Sequence, residues 1–152
     1  MDKLSLPVCD LKTKQSAGKT VIFDIIRRKY VALTPEEWVR QHFIHYLINH
    51  LGYPKGLLTV EQGLRYNALR KRTDIVVYDR QGEPVLVVEC KAPVYPLRPA
   101  MMEQAMMYNK TIGADYLLIT NGIDHSCLRI DRQAGRVVYL DAIPGYEQLA
   151  TK

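Results

Sequence analysis

The stretch that decides the fold is Val85-Leu86-Val87-Val88-Glu89-Cys90-Lys91, with Asp74-Ile75-Val76-Val77-Tyr78 a short way upstream. Both runs are rich in β-branched residues, and Asp79-Arg80-Gln81-Gly82 between them is a turn, so they read as two strands of a hairpin. Their near-continuous apolar character implies burial on both faces, and hence a sheet covered by helices. Side chains at i and i+2 of a strand leave on one side, so Glu89 and Lys91 share a face and Cys90 takes the other. The hairpin turn can bring Asp74 alongside Glu89.

Working outward, Thr34-Pro35-Glu36-Glu37 is the clearest helix start: Thr34 suits the N-cap, Pro35 the first turn, and Glu37 completes a capping box. The helix is expected to reach Leu51, with Val39, Phe43, Ile44, Leu47 and Leu51 on one face and Gln41, His45 and Asn49 elsewhere, before Gly52 ends it. Residues 57–64 read as a strand. Prolines 93, 96 and 99 break the chain before a second helix at about 98–111, then a buried strand over 115–120 stops at Asn121-Gly122. Two shorter strands are expected near 126–130 and 136–140. The order αβββαβ with a β tail predicts one α/β (α+β) domain built on a mixed central sheet flanked by helices. Residues 1–20 read as an N-terminal arm, 21–145 as the domain, and 146–152 as a C-terminal tail.

The 152 residues are 47% hydrophobic and 24% charged, which excludes a disordered or fibrous chain. No apolar run is long enough to span a membrane and no secretory signal is visible, so a cytoplasmic location is the expectation. The excess of 21 Lys and Arg over 16 Asp and Glu gives +5, compatible with a polyanionic partner. Three scattered cysteines, with no C-x-x-C, fit a reducing compartment rather than a disulfide framework. Ser16-Ala17-Gly18-Lys19-Thr20 imitates the end of a phosphate-binding loop, but Thr13 stands where the first glycine belongs.

Charges inside an apolar sheet are costly unless paired or bound to metal. Asp74 and Glu89 are hard oxygen donors that suit Mg²⁺ or Mn²⁺, and the Cys90 backbone carbonyl between Glu89 and Lys91 is a candidate third ligand. Lys91 can hold or deprotonate an attacking water and stabilise charge on phosphorus. This set does phosphodiester hydrolysis. The competing structural reading is a salt-bridged strand edge.

Asp74-x14-Glu89-x-Lys91 after a glutamate-bearing helix resembles the PD-(D/E)xK nuclease superfamily. More narrowly, the chain over about 21–131 is similar to the N-terminal nuclease domain of type I restriction enzyme R subunits. The resembling stretches are Thr34-Pro35-Glu36-Glu37-Trp38-Val39-Arg40-Gln41, Arg72-Thr73-Asp74-Ile75-Val76-Val77-Tyr78, Val87-Val88-Glu89-Cys90-Lys91-Ala92-Pro93, Gln104 with Tyr108, and Thr120-Asn121-Gly122. Thr73 stands where the motif's proline would be. The resemblance implies a restriction-endonuclease-like fold, DNA as substrate and Mg²⁺ as cofactor. It implies Asp74 and Glu89 as metal ligands and Lys91 as the catalytic lysine. Glu36 is the preferred helix glutamate at the site, with Glu37 in reserve. Gln104 and Tyr108, four residues apart on the second helix, resemble a Q-x-x-x-Y element that positions active-site groups or DNA. Arg72, with Arg65, Arg70 and Lys71, is a candidate phosphate contact. ATP-driven action is expected to need a separate motor or modification subunit; oligomeric state is left open. The alternative function is a nucleic-acid-binding or assembly module of the same fold that does not cleave.

Overall fold

The computed structural model describes residues 1–61, 65–66, 69–70 and 74–150, with the side chains at 61, 65, 66, 69, 70 and 74 excepted. In chain order the elements are β1 (Thr13–Ser16), β2 (Lys19–Asp24), β3 (Lys29–Ala32), α1 (Pro35–Leu51), β4 (Leu58–Glu61), β5 (Arg65–Tyr66), β6 (Leu69–Arg70), β7 (Asp74–Tyr78), β8 (Pro84–Cys90), α2 (Pro99–Ile112), β9 (Tyr116–Thr120), β10 (His125–Asp131), β11 (Arg136–Leu140) and α3 (Tyr146–Ala150). The main sheet has six strands in the order β11-β10-β9-β8-β7-β4. β8 and β9 are parallel and the other pairs antiparallel, so the expected mixed sheet is present. The α2 connection between β8 and β9 is the crossover that a parallel pair requires.

Each face of the sheet buries its own cluster. Ile75, Val77, Leu86, Val88 and Cys90 pack with Val39, Phe43, Ile44 and Leu47 of α1. Val76, Val87, Leu117 and Ile119 pack with Met102 and Ala105 of α2. From Ile75 to Val77 and from Leu86 to Cys90 the alternation assigns successive apolar residues to one helix or the other, and the register shifts at Val77/Tyr78, where adjacent Val85 and Leu86 both join the α1-side cluster. The hairpin turn is held by Asp79, whose Oδ1 accepts from the Gln81 and Glu83 amides at 2.9 Å each, with Gly82 at φ 86°.

Both chain ends differ from expectation. Residues 1–20 contain β1 and the start of β2, and Leu4 is buried against Gly122 and Val39. Ser5 donates its amide to the Gly122 carbonyl at 2.9 Å, and the Trp38 indole donates to the Asp2 carbonyl. A sequence poor in periodicity is thus docked by hydrogen bonds whose acceptors are backbone carbonyls, which leave no composition signal. Ala17 and Gly18, both at positive φ, form the two-residue turn of a β1–β2 hairpin, so the phosphate-loop look-alike is a hairpin turn. The 146–152 tail contains α3, whose Tyr146 and Leu149 are buried in the α1-side core.

The helix start at Thr34 is half the expected capping box. Thr34 Oγ1 accepts from the Glu37 amide at 3.0 Å, but the Glu37 carboxylate is turned inward to other partners. Gln41, placed off the apolar face by spacing alone, is buried because Glu37 gives its amide a partner: Nε2 donates to Glu37 Oε2 at 2.9 Å.

Candidate active site at the carboxyl end of the central strands

β8 carries the buried chemistry. Glu89 alternates with Val88 and Cys90 of the α1-side core, so it shares the α2 face with Val87. Glu89 is only 5% exposed and Lys91 7%, and the Lys91 Nζ lies 3.4 Å from Glu89 Oε2. The two therefore meet on one side, as the i, i+2 spacing predicts. Burying an ammonium and a carboxylate costs several kcal/mol per ion before their attraction is counted. Such a pair at a strand end is a weak source of stability.

The Lys91 amide donates to the Thr120 carbonyl at 2.8 Å, which ties the end of β8 to β9. A trans peptide is planar, with its carbonyl opposed to its N–H. The Cys90 carbonyl consequently faces away from β9, toward β7, beyond the last recorded β7–β8 pair. That pair sets Ile75 opposite Val88. Continuing the register by one step sets position 74 opposite position 89, on the face of Val76 and Val87. The β4 register also sets Glu61 opposite Asp74, so three acidic positions line up across β4, β7 and β8. Spacing along the chain could not reveal Glu61; only the strand register does. The Asp74 side chain lies outside the described atoms, as do Arg72, Lys71 and the side chains of Arg65 and Arg70.

α1 packs over the Cys90 face, and both of its glutamates engage Arg40: Nη2 donates to Glu36 Oε1 at 2.8 Å and Nη1 to Glu37 Oε1 at 2.9 Å. Arg27 also donates to Glu37 at 3.0 Å, and holds Asp24 Oδ2 through its Nε at 2.5 Å. Burial by itself lowers the Arg40 pKa, but Cys90, Glu37 and Glu36 together raise it above its ordinary value, so the guanidinium stays charged in the core. The structure pairs Glu36 with Arg40 one turn along α1. It makes Glu36 and Glu37 part of a network that pins the β2–β3 turn to α1. Sequence reasoning missed Arg40 and Asp24, although Arg40 stands at i+3 and i+4 from the two glutamates, a spacing that marks helical ion pairs.

Of the second-helix pair, Tyr108 is buried on α2 and Gln104 is exposed. Beyond β9, Thr120 Oγ1 meets His125 Nδ1 at 2.7 Å and accepts from the Gly122 amide at 2.9 Å. Among the described residues no three His, Cys, Asp or Glu side chains gather as a metal-holding group.

The sequence profile of the family described as "Type I restriction enzyme R protein N terminus" matches residues 35–144, more than two thirds of the chain. No curated protein matches. Among solved structures, a fragment described as an HsdR subunit of a type I restriction enzyme from Vibrio vulnificus superposes with a TM-score of 0.52 at 23% identity. The match covers 77% of this chain and 24% of that one, so this chain corresponds to about a quarter of the fragment. At that identity the likeness concerns the fold, and it accords with a restriction-endonuclease-like α+β architecture. With the matched segment running from the first turn of α1 past the end of β11, the chain belongs to the type I restriction enzyme R protein N-terminal family.

Proposed function

We propose that this domain hydrolyses DNA phosphodiester bonds with the help of Mg²⁺ or Mn²⁺. The observation that carries the reading is the buried Glu89–Lys91 pair at the end of β8, an arrangement that costs stability and places an amine beside a carboxylate on one face. The donor chemistry fits a hard cation: the Glu89 carboxylate, the Cys90 carbonyl facing β7, and position 74 in register with Glu89 are all oxygen donors. We assign Asp74, Glu89 and the Cys90 carbonyl as the metal ligands. A bound ion there would polarise the phosphoryl oxygens and lower the pKa of a coordinated water.

The chain's own groups do the rest. Lys91 orients the attacking water and holds negative charge developing on phosphorus. Glu89 keeps the Lys91 amine in place. The new bond joins water oxygen to phosphorus; the bond that breaks joins phosphorus to the leaving sugar oxygen. Gln104 and Tyr108 are assigned to positioning on α2, and Arg72 to a phosphate contact. Glu36, held by Arg40 through Oε1 at 2.8 Å, is assigned as the helix glutamate of the set, with Glu37 in reserve. DNA and further subunits of a type I enzyme are the proposed partners.

Purified protein incubated with supercoiled plasmid and Mg²⁺ or Mn²⁺ tests the reading. Wild type should nick or linearise the plasmid, and Lys91→Ala should be slower by about 10²–10⁴-fold. Equal cutting by both overturns it. Salt-sensitive DNA binding with no cutting under either metal would instead support the non-cleaving module.

A further inference from the structure

Next to Lys91 the chain makes a second construction that the proposed chemistry does not use. Ala92-Pro93-Val94-Tyr95 is a tight turn, closed by the Tyr95 amide donating to the Ala92 carbonyl at 3.1 Å. Proline stands within it and immediately after it, at 93 and 96. Its tip is apolar and in water: Val94 is 76% exposed and Tyr95 55%. The Asn121-Gly122-Ile123-Asp124 turn lies beside it and presents Ile123 at 41% exposure.

One buried side chain holds both turns. Asn121 Nδ2 donates to the Tyr95 carbonyl at 2.8 Å, while its Oδ1 accepts from the Ile123 and Asp124 amides at 2.9 and 2.8 Å. Both ends of the amide are therefore spent on fixing the two loops side by side. Gly122, at φ 86° and closely covered by Leu4 and Val39, anchors the second turn from below. A single exposed apolar residue needs no explanation. Three of them, on turns clamped by a buried amide at the carboxyl ends of the parallel pair β8 and β9, form a rigid rim. That end of a parallel pair is where α/β sheets receive ligands.

We infer that Tyr95, next to Val94 in its turn and with Ile123 on the neighbouring one, is a stacking platform for a base of the DNA strand whose backbone lies along Lys91. The inference rests on the reading of DNA as the ligand and adds how the strand is gripped. An aromatic ring presented in water from a fixed turn suits a nucleobase face without sequence preference. The turn that carries Tyr95 favours that occupant: exposed Arg98 lies three residues after it and no acidic residue stands between 92 and 98, while Asp124 is the acidic residue of the neighbouring turn and Lys91 is paired with Glu89.

The test is anisotropy of a dye-labelled single-stranded oligonucleotide with Ca²⁺ present, beside plasmid cleavage with Mg²⁺, for wild type, Tyr95→Phe, Tyr95→Ala and Lys91→Ala. Tyr95→Ala should weaken single-strand binding by about 5- to 150-fold, and Tyr95→Phe should stay within about twofold of wild type. Lys91→Ala should still show the Tyr95 dependence when the two changes are combined. Binding by Tyr95→Ala equal to wild type overturns the inference, and would leave the rim as a contact for a protein partner. Equal loss in Phe and Ala variants also overturns it, because the hydroxyl would then be what matters. Wild-type cleavage failing while the Tyr95 dependence persists would sink the hydrolase reading and leave the platform standing.

Discussion

The two faces of β8 carry two buried charge clusters of different kinds. On the α1 face, Arg27, Arg40, Asp24, Glu36, Glu37 and Gln41 are joined by contacts of 2.5–3.0 Å. On the α2 face, Glu89 and Lys91 meet at 3.4 Å, longer than a strong charge-assisted hydrogen bond. The first cluster links three segments of chain, β2, the β2–β3 turn and α1, and its geometry is that of a structural tie. The second joins residues two apart on one strand. Removing the first should undo the fold; removing the second should undo only chemistry. Buried charge alone does not mark a catalytic site, and the segments that a network connects tell the two apart.

The largest effect separating the clusters is on activity. The double variant Glu89→Gln/Lys91→Met should lose cleavage by about 10²–10⁴-fold while its unfolding free energy in urea stays within about 1 kcal/mol of wild type or rises. A double variant that unfolds as readily as a core variant would erase the distinction. Arg40→Met, which is 2% exposed in wild type, should cost about 3–5 kcal/mol because it leaves Glu37 short of a cation in the core. Urea denaturation measures it, and a cost below about 1 kcal/mol would break the comparison from the other side.

Gly122→Ala should cost about 1–3 kcal/mol in the same assay. A Cβ there falls 2.8 Å from Leu4 Cδ2 on a backbone with φ 86°, so the docked N-terminal segment must shift. Thr34→Ala should cost about 1 kcal/mol, the worth of one N-cap, since the Glu37 amide loses its acceptor.

The smallest expected effect is on pH dependence. Burial lowers the pKa of His42, His45 and His125; a Trp38 carbonyl opposes this at His42, Asp10 at His45 and Asp124 at His125, each incompletely. A folded pKa below the unfolded value means that the unfolded chain binds more protons. This contribution to stability is present above the ordinary histidine pKa, near 6.5, and is lost as pH falls below it. The Tm should therefore drop between pH 7.5 and 5.5, and a flat profile would show that these rings titrate alike in both states.

The sequence carried much of the hairpin and of the helices. β7, β8 and α2 lie within a residue or so of where pattern and prolines put them, and α1 runs from Pro35 to Leu51 as its cap and Gly52 require. Glu89 and Lys91 were legible because strand alternation is a local rule. Gln41 and the inward turn of Glu37 were not, because each depends on Arg40 or Arg27 supplying a partner across the helix or from another turn. The docking of the first residues on Gly122 was equally hidden, since every acceptor in it is a backbone carbonyl, a group that every residue has.

Composition and period alone thus determined the class of fold, the central hairpin and the pairing of an acid and an amine on one strand face, since those follow from alternation and burial within a few residues. Tertiary structure decided which face that pair shares, that the apolar side of α1 covers the opposite one, and that Asn121 clamps two apolar turns beside Lys91. These are contacts between residues far apart in the chain. Their free energy depends on what each side chain meets after folding, and no local pattern encodes that.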